Sequence, residues 1–526
     1  MPKLWDFKQF IEFTNLTNSG VLLVSGKHGI EKESLRITND GLLSRRNHSL
    51  GLGSSLMHPH ITTDFSEGLL EFVTAPFTDP KKTLEQLHQI HCFVARRLEG
   101  DFLWTQSMPG SLETNAILLA QYGTSNLGRY KSLYREGLSY RYGKQMQMIA
   151  GVHYNFSFGE ELLSRLHEFF SQGESYRAFV DTCYFALLRN FFRYQWLLVY
   201  LFGASPCLDS SFFEHSPLEE LEHWKQHTRF GRFSTSLRMS QIGYSNHKRE
   251  GLFFSHNSLQ EFIHDLRAAT VRNNPDFSRL GVYRNGKRIQ INTNILQIEN
   301  EYYASVRPKQ IILGDETMSM AMESRGVGYI EVRLLDIDPF SPVGVDEEQL
   351  AFYQLFLLYC LAKESSIMSS DEYQLAERNK GQVALRGRDP ELELTVKAGS
   401  KKVHAVGEEV LEEMELLIKL FPNDVQYMYT ELLSKQRLKL QDSTNTPSSV
   451  FLKHLFSSKK EYSEFGFERA RQVTELFKTA SLALDTEEYF EALVKKSIQQ
   501  QESLEKSDKV SFDDYIKLKS TFSHSI

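Results

Sequence analysis

Residues 29–37 read Gly-Ile-Glu-Lys-Glu-Ser-Leu-Arg-Ile, and they place two acids inside a stretch that has the character of a buried β-strand. Two other stretches repeat this pattern, Leu-Leu-Glu-Phe-Val at 69–73 and Gly-Tyr-Ile-Glu-Val-Arg-Leu-Leu at 328–335. A carboxylate on an apolar strand costs roughly several kcal/mol unless it is paired or bound to a metal. We therefore expect Glu31, Glu33, Glu71 and Glu331 to share one cation site. Converging oxygen ligands suit Mg²⁺, and Mg²⁺ suits nucleotide phosphates, so the pattern predicts an ATP-dependent enzyme.

The strand period assigns these side chains to faces. Successive side chains of a strand point to opposite sides, so Glu31 and Glu33 share one face and Glu331 shares one with Arg333. Residues 151–158 alternate in the same way, with His153 on the polar side. The sequence thus predicts a sheet with an apolar face and a polar face, and the polar face is the expected substrate floor.

Composition limits the class of protein. The chain has 526 residues, 41% hydrophobic and 24% charged, and a formal net charge of −7. This charge argues against nucleic-acid binding. The four cysteines are widely spaced, which favours a reducing compartment over a disulfide framework or a zinc site. Neither a signal peptide nor an apolar run long enough to span a bilayer is expected, so we predict a cytoplasmic protein with no membrane association.

Strands mix with helices without regular βαβ alternation, and this favours an α+β fold with a mainly antiparallel sheet. After about Glu364 the segments become charged and helical. We therefore predict a catalytic core over residues 1–365 and a helical C-terminal region over 366–526 that packs on it. The finer expectations are helices over 79–98, 176–202, 258–271 and 346–363, a loop with a short helix over 110–142, and a further strand over 290–295.

Each residue taken singly has a simpler interpretation. A single glutamate on a strand is more often a solvated edge residue or half of a salt bridge than a metal ligand. Asp64 fits the start of a turn, and His153 fits a hydrogen-bonded core histidine. Arg333 could neutralise Glu331. The recurrence of acids in one apolar setting favours a shared site over these separate interpretations.

Missing motifs narrow the chemistry further. The chain contains no G-x-x-x-x-G-K-[ST] phosphate loop, and Gly51 to Leu56 is a poor dinucleotide signature. Motifs of zinc proteases, serine hydrolases and protein kinases are also missing. Few ATP-dependent enzymes hold their metals with glutamates on an antiparallel sheet.

The stretches that carry the acids, together with several others, resemble one known enzyme family. The chain resembles glutamate–cysteine ligase (γ-glutamylcysteine synthetase) of the proteobacterial type. The matching stretches lie in the family's order across about residues 25–365, and they are 29–36, 61–67, 120–126, 134–138, 205–206, 235–238, 296–301, 307–309 and 329–333.

The resemblance implies a fold similar to glutamine synthetase, with the antiparallel sheet curved into a funnel and flanked by helices. It implies ligation of the γ-carboxylate of L-glutamate to the amine of L-cysteine through a γ-glutamyl phosphate, with ATP split to ADP and phosphate. This is the first step of glutathione biosynthesis. The substrates are small molecules, and we expect a monomer.

The resemblance also implies residue roles. Arg333 would contact the transferred phosphoryl group, and Arg238 and Gln147 would hold the glutamate. The cysteine pocket would be lined by Tyr134, Leu138, Tyr244 and Tyr303. The Mg²⁺ ligands would be Glu31, Glu33, Asp64, Glu71, His153 and Glu331, with Glu331 also counted as catalytic.

Two alternatives stay open. A related carboxylate–amine ligase with another acceptor amine would share the metal and phosphate residues and differ in the acceptor pocket. A non-catalytic sheet protein could use its acids to bind a divalent cation structurally. Such a protein needs neither Arg333 nor the tyrosines.

Overall fold

The computed structural model describes residues 4–213, 220–243, 253–397 and 399–522. Its strands, in chain order, are β1 (Gly26–Ile37), β2 (Ile61–Thr63), β3 (Leu69–Val73), β4 (Phe102–Leu103), β5 (Val152–Phe158), β6 (Cys207–Asp209), β7 (Glu222–Trp224), β8 (Thr228–Phe230), β9 (Tyr283–Arg284), β10 (Lys287–Arg288), β11 (Val306–Lys309), β12 (Tyr329–Leu335), β13 (Glu393–Val396) and β14 (Gly399–Lys402).

Helices make up most of the remaining regular structure. In chain order they are α1 (Phe7–Leu16), α2 (Gly20–Leu23), α3 (Pro80–Ala95), α4 (Asn126–Tyr142), α5 (Glu160–Phe170), α6 (Tyr176–Phe202), α7 (Leu259–Val271), α8 (Pro275–Leu280), α9 (Met318–Arg325), α10 (Glu347–Ala362), α11 (Ser370–Arg386), α12 (Val403–Ile418), α13 (Asn423–Gln441), α14 (Pro447–Ser458), α15 (Tyr462–Thr479), α16 (Leu484–Ser507) and α17 (Phe512–Phe522). None of the described helices combines the length and apolarity needed to cross a membrane.

The main sheet has seven strands, and their pairings are antiparallel, as the sequence predicted. Its order is β11-β12-β5-β1-β3-β2, with β4 paired to β1. Mixed helices and an antiparallel sheet confirm the α+β prediction. The central strand β1 extends over twelve residues because alternating buried side chains cover both of its faces.

The sheet packs on two long helices that are apolar around most of their circumference. α6 begins after Ser175, whose side chain accepts a hydrogen bond from the Ala178 N–H, and it ends before Gly203. α10 begins with a capping box formed by Asp346 and Gln349. Both helices join one large hydrophobic core with the apolar side of the sheet. A helix that is apolar on every side must be buried, as these two are.

The predicted strand over 290–295 was wrong. That segment is a series of bends, because side-chain oxygens bind backbone N–H groups that a strand ladder would use: the Ile291 N–H donates to Gln297 Oε1 and the Asn294 N–H donates to Asn292 Oδ1, both at 3.0 Å. Gln290 donates to the carbonyl oxygens of Phe277 and Gly281 at 3.1 and 2.8 Å. Asn292 donates to the Gln297 carbonyl oxygen at 3.0 Å.

The short helix expected within 110–142 is longer than predicted. α4 has 17 residues, begins after the N-cap Ser125 and ends at Gly143, which has a φ of 86° that favours glycine. A helix with a single apolar face shows a clear periodic pattern in the sequence. α4 is instead covered on two sides by other segments and has many polar and glycine residues, so it shows no such pattern.

The C-terminal segments are mostly helical and contact the rest of the chain directly. α11 packs on α6, and α15 packs on α3 and β4. Thr474 of α15 accepts a hydrogen bond from the Leu103 N–H of β4 at 2.9 Å, and the rings of Trp104 and Tyr462 meet edge to face. The division at residue 365 stays a prediction.

Candidate active site

A cavity of about 420 Å³ lies over the polar face of the main sheet. Strand register brings acids from separate parts of the chain to it. Glu31 of β1 lies opposite His153 of β5, and Glu33 lies opposite Glu71 of β3. The cavity lining includes eleven residues that the sequence predicted: Glu31, Glu33, Asp64, Glu71, Tyr134, Leu138, Gln147, His153, Tyr303, Glu331 and Arg333.

Three of the predicted metal ligands converge closely. One ligand atom each from Glu31, His153 and Glu331 lies within 4.8 Å of the other two. The His153 Nδ1 lies 3.2 Å from a Glu31 carboxylate oxygen, and Asn155 donates to the other oxygen at 2.9 Å. Burial, followed by the charge of Arg333, lowers the pKa of His153, which favours the neutral imidazole that a metal requires.

The remaining three predicted ligands, Glu33, Asp64 and Glu71, form an acidic half of the cavity. Burial, together with the nearby Asp64 carboxylate, raises the pKa of Glu33 to about 8. Burial and the surrounding carboxylates also raise the pKa of Glu71 well above its usual range. One Glu33 oxygen accepts a hydrogen bond from the Gly151 N–H at 2.7 Å. These buried acids crowd one another, and a bound cation would allow them to ionise together.

Asp64 follows β2 directly and begins a turn, because its N–H donates to the Leu69 carbonyl oxygen. It also faces the cavity, where Arg135 lies 3.8 Å from its carboxylate. The simple interpretation as a turn residue and the interpretation as a ligand are therefore compatible.

A basic half, formed by Arg307, Lys309 and Arg333, surrounds Glu331. Their nitrogens lie 2.7, 3.7 and 3.2 Å from its carboxylate oxygens. Burial opposes ionisation of Glu331, but these three cations outweigh burial and hold its pKa well below the usual range. The salt bridge between Arg333 and Glu331 is thus present, and the basic half still carries more positive charge than Glu331 neutralises.

Helix α4 forms a further wall of the cavity. Tyr134, Arg135, Leu138 and Tyr142 recur at helical spacing and line it. The Tyr303 ring lies 5.8 Å from the Arg333 guanidinium carbon, a distance at which the ring face attracts the cation. This wall supplies aromatic and aliphatic surface beside the charged halves.

Among the described residues, one predicted substrate-binding residue, Arg238, is not part of the lining. Arg238 is 1% exposed and lies behind Gly151, with one nitrogen 2.8 Å from the Arg333 carbonyl oxygen and another 3.8 Å from the Asp336 carboxylate. Tyr244 lies outside the described residues.

Several cavity residues were not predicted from the sequence. Arg307 and Lys309 sit two residues apart on β11, so strand alternation would have assigned them to one face. Arg135 follows Tyr134 inside a matched stretch, but nothing in its local pattern distinguishes it from a surface arginine.

The face of the sheet that was predicted to be apolar also carries a buried lysine. Lys32, between Glu31 and Glu33 in sequence, points to that face and is 2% exposed. Its Nζ lies 3.0 Å from the Ser34 hydroxyl and 3.3 Å from the His91 Nε2. Burial lowers the pKa of Lys32 to about 7, which explains how a lysine is accommodated in this apolar layer.

Comparison with known proteins gives a consistent result. A sequence model described as glutamate–cysteine ligase matches residues 12–383. A curated glutamate–cysteine ligase from Pseudomonas aeruginosa is 40% identical over 500 residues, which cover 94% of each chain. One from Alcanivorax borkumensis is 39% identical over 509 residues, or 95% of this chain and 96% of that protein. A crystal structure of glutamate–cysteine ligase from Francisella tularensis in complex with AMP superposes with a TM-score of 0.89 at 36% identity, and it covers 95% of this chain and 98% of that one.

Proposed function

Because this chain belongs to the glutamate–cysteine ligase family, we propose that its cavity joins the γ-carboxylate of L-glutamate to the amine of L-cysteine at the expense of ATP. The observation that carries the proposal is the juxtaposition, in one cavity, of an acidic half, a basic half and an aromatic wall. The acidic half suits the metal-bound nucleotide, the basic half suits the transferred phosphoryl group, and the aromatic wall suits the acceptor amino acid.

The donor set fits Mg²⁺. Glu31, Glu33, Asp64, Glu71, His153 and Glu331 would hold the ions. Burial and neighbouring carboxylates raise the pKa values of Glu33 and Glu71, and bound cations would favour their ionised forms. Bound Mg²⁺ would neutralise charge on the phosphate oxygens as they rearrange. Asn155 would keep Glu31 oriented, since its amide donates to one of the Glu31 oxygens.

Arg333 would contact the γ-phosphoryl group during transfer. A carboxylate is a poor electrophile, and its conversion to γ-glutamyl phosphate provides a leaving group for the later amine attack. The guanidinium keeps its charge, because Glu331 and other acids outweigh burial and raise its pKa. Arg307 contacts the same Glu331 oxygen at 2.7 Å, so Arg333 is able to reorient toward a phosphoryl oxygen without leaving Glu331 unpaired.

The aromatic wall would receive cysteine. Tyr134, Leu138 and Tyr303 offer apolar surface to the thiol methylene, and Tyr244 is proposed as a further wall residue. Gln147 lines the same cavity and would hold glutamate. Arg238 would assist from behind Gly151, through its hydrogen bond to the Arg333 carbonyl oxygen. Water exclusion by the wall would protect the acyl phosphate until the amine attacks.

The finer structural and cellular proposals follow from the family. We infer that the sheet curves into a funnel as in glutamine synthetase, that the catalytic core and the helical C-terminal region divide near residue 365, and that the enzyme works as a monomer in the cytoplasm. All four cysteines are buried and free, which is consistent with a reducing compartment.

The deciding experiment measures ADP release in the presence of Mg²⁺, with glutamate and cysteine added separately and together, and identifies the product by mass. We expect fast turnover only when both amino acids are present, with γ-glutamylcysteine as product. Faster turnover with another amine would favour the related ligase. Binding of Mg²⁺ without any glutamate-dependent ADP release would favour the non-catalytic sheet protein.

A further inference from the structure

A small apolar cluster lies apart from the main core, on the outer side of α4. It consists of Leu133 of α4, Ile291 of the bent segment before β11, and Ile516 of α17, which are 6%, 4% and 5% exposed. Partly buried side chains pack around it, and they are Tyr130, Tyr134, Ile298 and Phe512. α17 therefore completes an apolar contact that α4 and the bent segment do not complete without it.

The segment between α16 and α17 also binds the beginning of α4. The Asn126 N–H donates to the Asp508 carboxylate at 2.6 Å, and the Asn126 side chain donates to the Val510 carbonyl oxygen at 2.9 Å. The Arg129 guanidinium carbon lies 4.0 Å from the centre of the Phe512 ring. A carboxylate at the N-terminus of a helix satisfies a free N–H group and interacts favourably with the helix dipole.

α17 also contacts two further segments. Asp513 lies 3.7 Å from Arg288 of β10, and Lys519 donates to Asp315 at 2.9 Å. Asp315 belongs to the loop that follows β11, the strand that carries Arg307 and Lys309. One helix thus contacts α4, β10 and the loop after β11, and of the elements it joins, α4 and β11 carry residues that line the active-site cavity.

The inner side of α4 lines the cavity. Tyr134 belongs to both surfaces, because it lines the cavity and also packs on the cluster of Leu133, Ile291 and Ile516. α4 also lies close to the residues just after the bent segment, since a Cβ added at Gly137 would lie 2.2 Å from a Gln297 side-chain oxygen. Because one helix carries both faces of this wall, a displacement of its outer face also displaces its inner face.

We propose that α17 positions α4 and thereby sets the affinity for the acceptor amino acid, with Ile516 and Leu133 as positioning residues that do not touch substrate. The inference rests on the proposed function, because it takes Tyr134 and Leu138 as walls of the cysteine pocket. Apart from Asp64, which follows β2, the proposed metal and phosphoryl residues lie on the strands of the sheet, so they keep their positions when α17 loosens.

The test compares Ile516→Ala with Leu518→Ala in the full chain. Leu518 lies on the same helix and is 49% exposed, so its variant controls for shortening a side chain on α17. We expect Ile516→Ala to raise KM for cysteine about tenfold, while kcat and the KM values for ATP and glutamate stay within about twofold. Ile516→Val should lie between the wild type and Ile516→Ala, and Leu518→Ala should match the wild type.

The positioning role would be overturned by an equal rise in KM for all substrates, by a fall in kcat alone, or by an unchanged KM for cysteine. Thermal unfolding is measured in parallel, and if Ile516→Ala does not fold, Asp508→Asn, which weakens the contact with Asn126, is judged by the same criteria. Wild-type enzyme that shows no cysteine-dependent turnover would refute the proposed function instead, before any variant is compared.

Discussion

Replacing Arg333 by alanine tests the proposed phosphoryl contact most directly. The structure separates two effects that this substitution could have. Removing one partner of a buried ion pair usually costs about 3–5 kcal/mol, because the other charge is left unpaired. Glu331 would keep Arg307 at 2.7 Å and Lys309 at 3.7 Å, so its carboxylate stays paired and the loss of stability should be no more than about 1 kcal/mol.

The catalytic effect should be much larger. A contact made mainly in the transition state lowers kcat when it is removed and changes KM less. By comparison with other groups that stabilise developing charge, we expect Arg333→Ala to lower kcat by about 10²-fold or more, which corresponds to about 2.7 kcal/mol. Arg333→Lys should recover part of this loss, because a single ammonium cannot reproduce the donor geometry of a guanidinium.

Steady-state kinetics with each substrate varied in turn, together with thermal unfolding, measures both quantities. Arg279→Ala, at an arginine whose side chain is 79% exposed and does not line the cavity, is the matched control. A variant with normal kcat and a raised KM for glutamate would refute the reasoning, because Arg333 would then bind a substrate carboxylate. A large loss of stability would refute the claim that Glu331 stays paired.

Three further predictions follow from the site and the core. Glu31→Ala should abolish turnover yet leave the thermal unfolding midpoint near that of the wild type, and a near-normal rate at moderate Mg²⁺ would exclude Glu31 as a ligand. Mild reduction should leave the rate unchanged, since the four cysteines are free, and loss of activity would reveal a required disulfide. Burial lowers the pKa of His28 from 6.5 to about 4. The stability that depends on the neutral imidazole is therefore fully present above pH 6.5. This contribution, roughly 3 kcal/mol, is lost as the pH falls from 6.5 to 4. His28→Gln should flatten the fall in unfolding free energy over that interval, as denaturant titrations at each pH would measure, and an unchanged slope would contradict the assignment.

Local pattern was sufficient for the strands that carry the acids. In β1, β5 and β12 the alternation of side chains decides which residues face the cavity, and this alternation is a property of any extended chain. The same reasoning failed over 290–295, where side-chain oxygens bind the backbone N–H groups and replace the ladder. It also missed the length of α4, whose burial comes from two different neighbours.

The sequence by itself determined that buried carboxylates must find a cation, because an unpaired charge in an apolar strand is too costly to persist. Only the tertiary structure decided which partners they find. The order of the strands brings β5 between β1 and β12, so that Glu31, His153 and Glu331 converge, and places Arg307 of the edge strand beside Glu331. Strand order and the docking of α17 on α4 depend on contacts between residues hundreds of positions apart, which local propensity and periodicity do not encode.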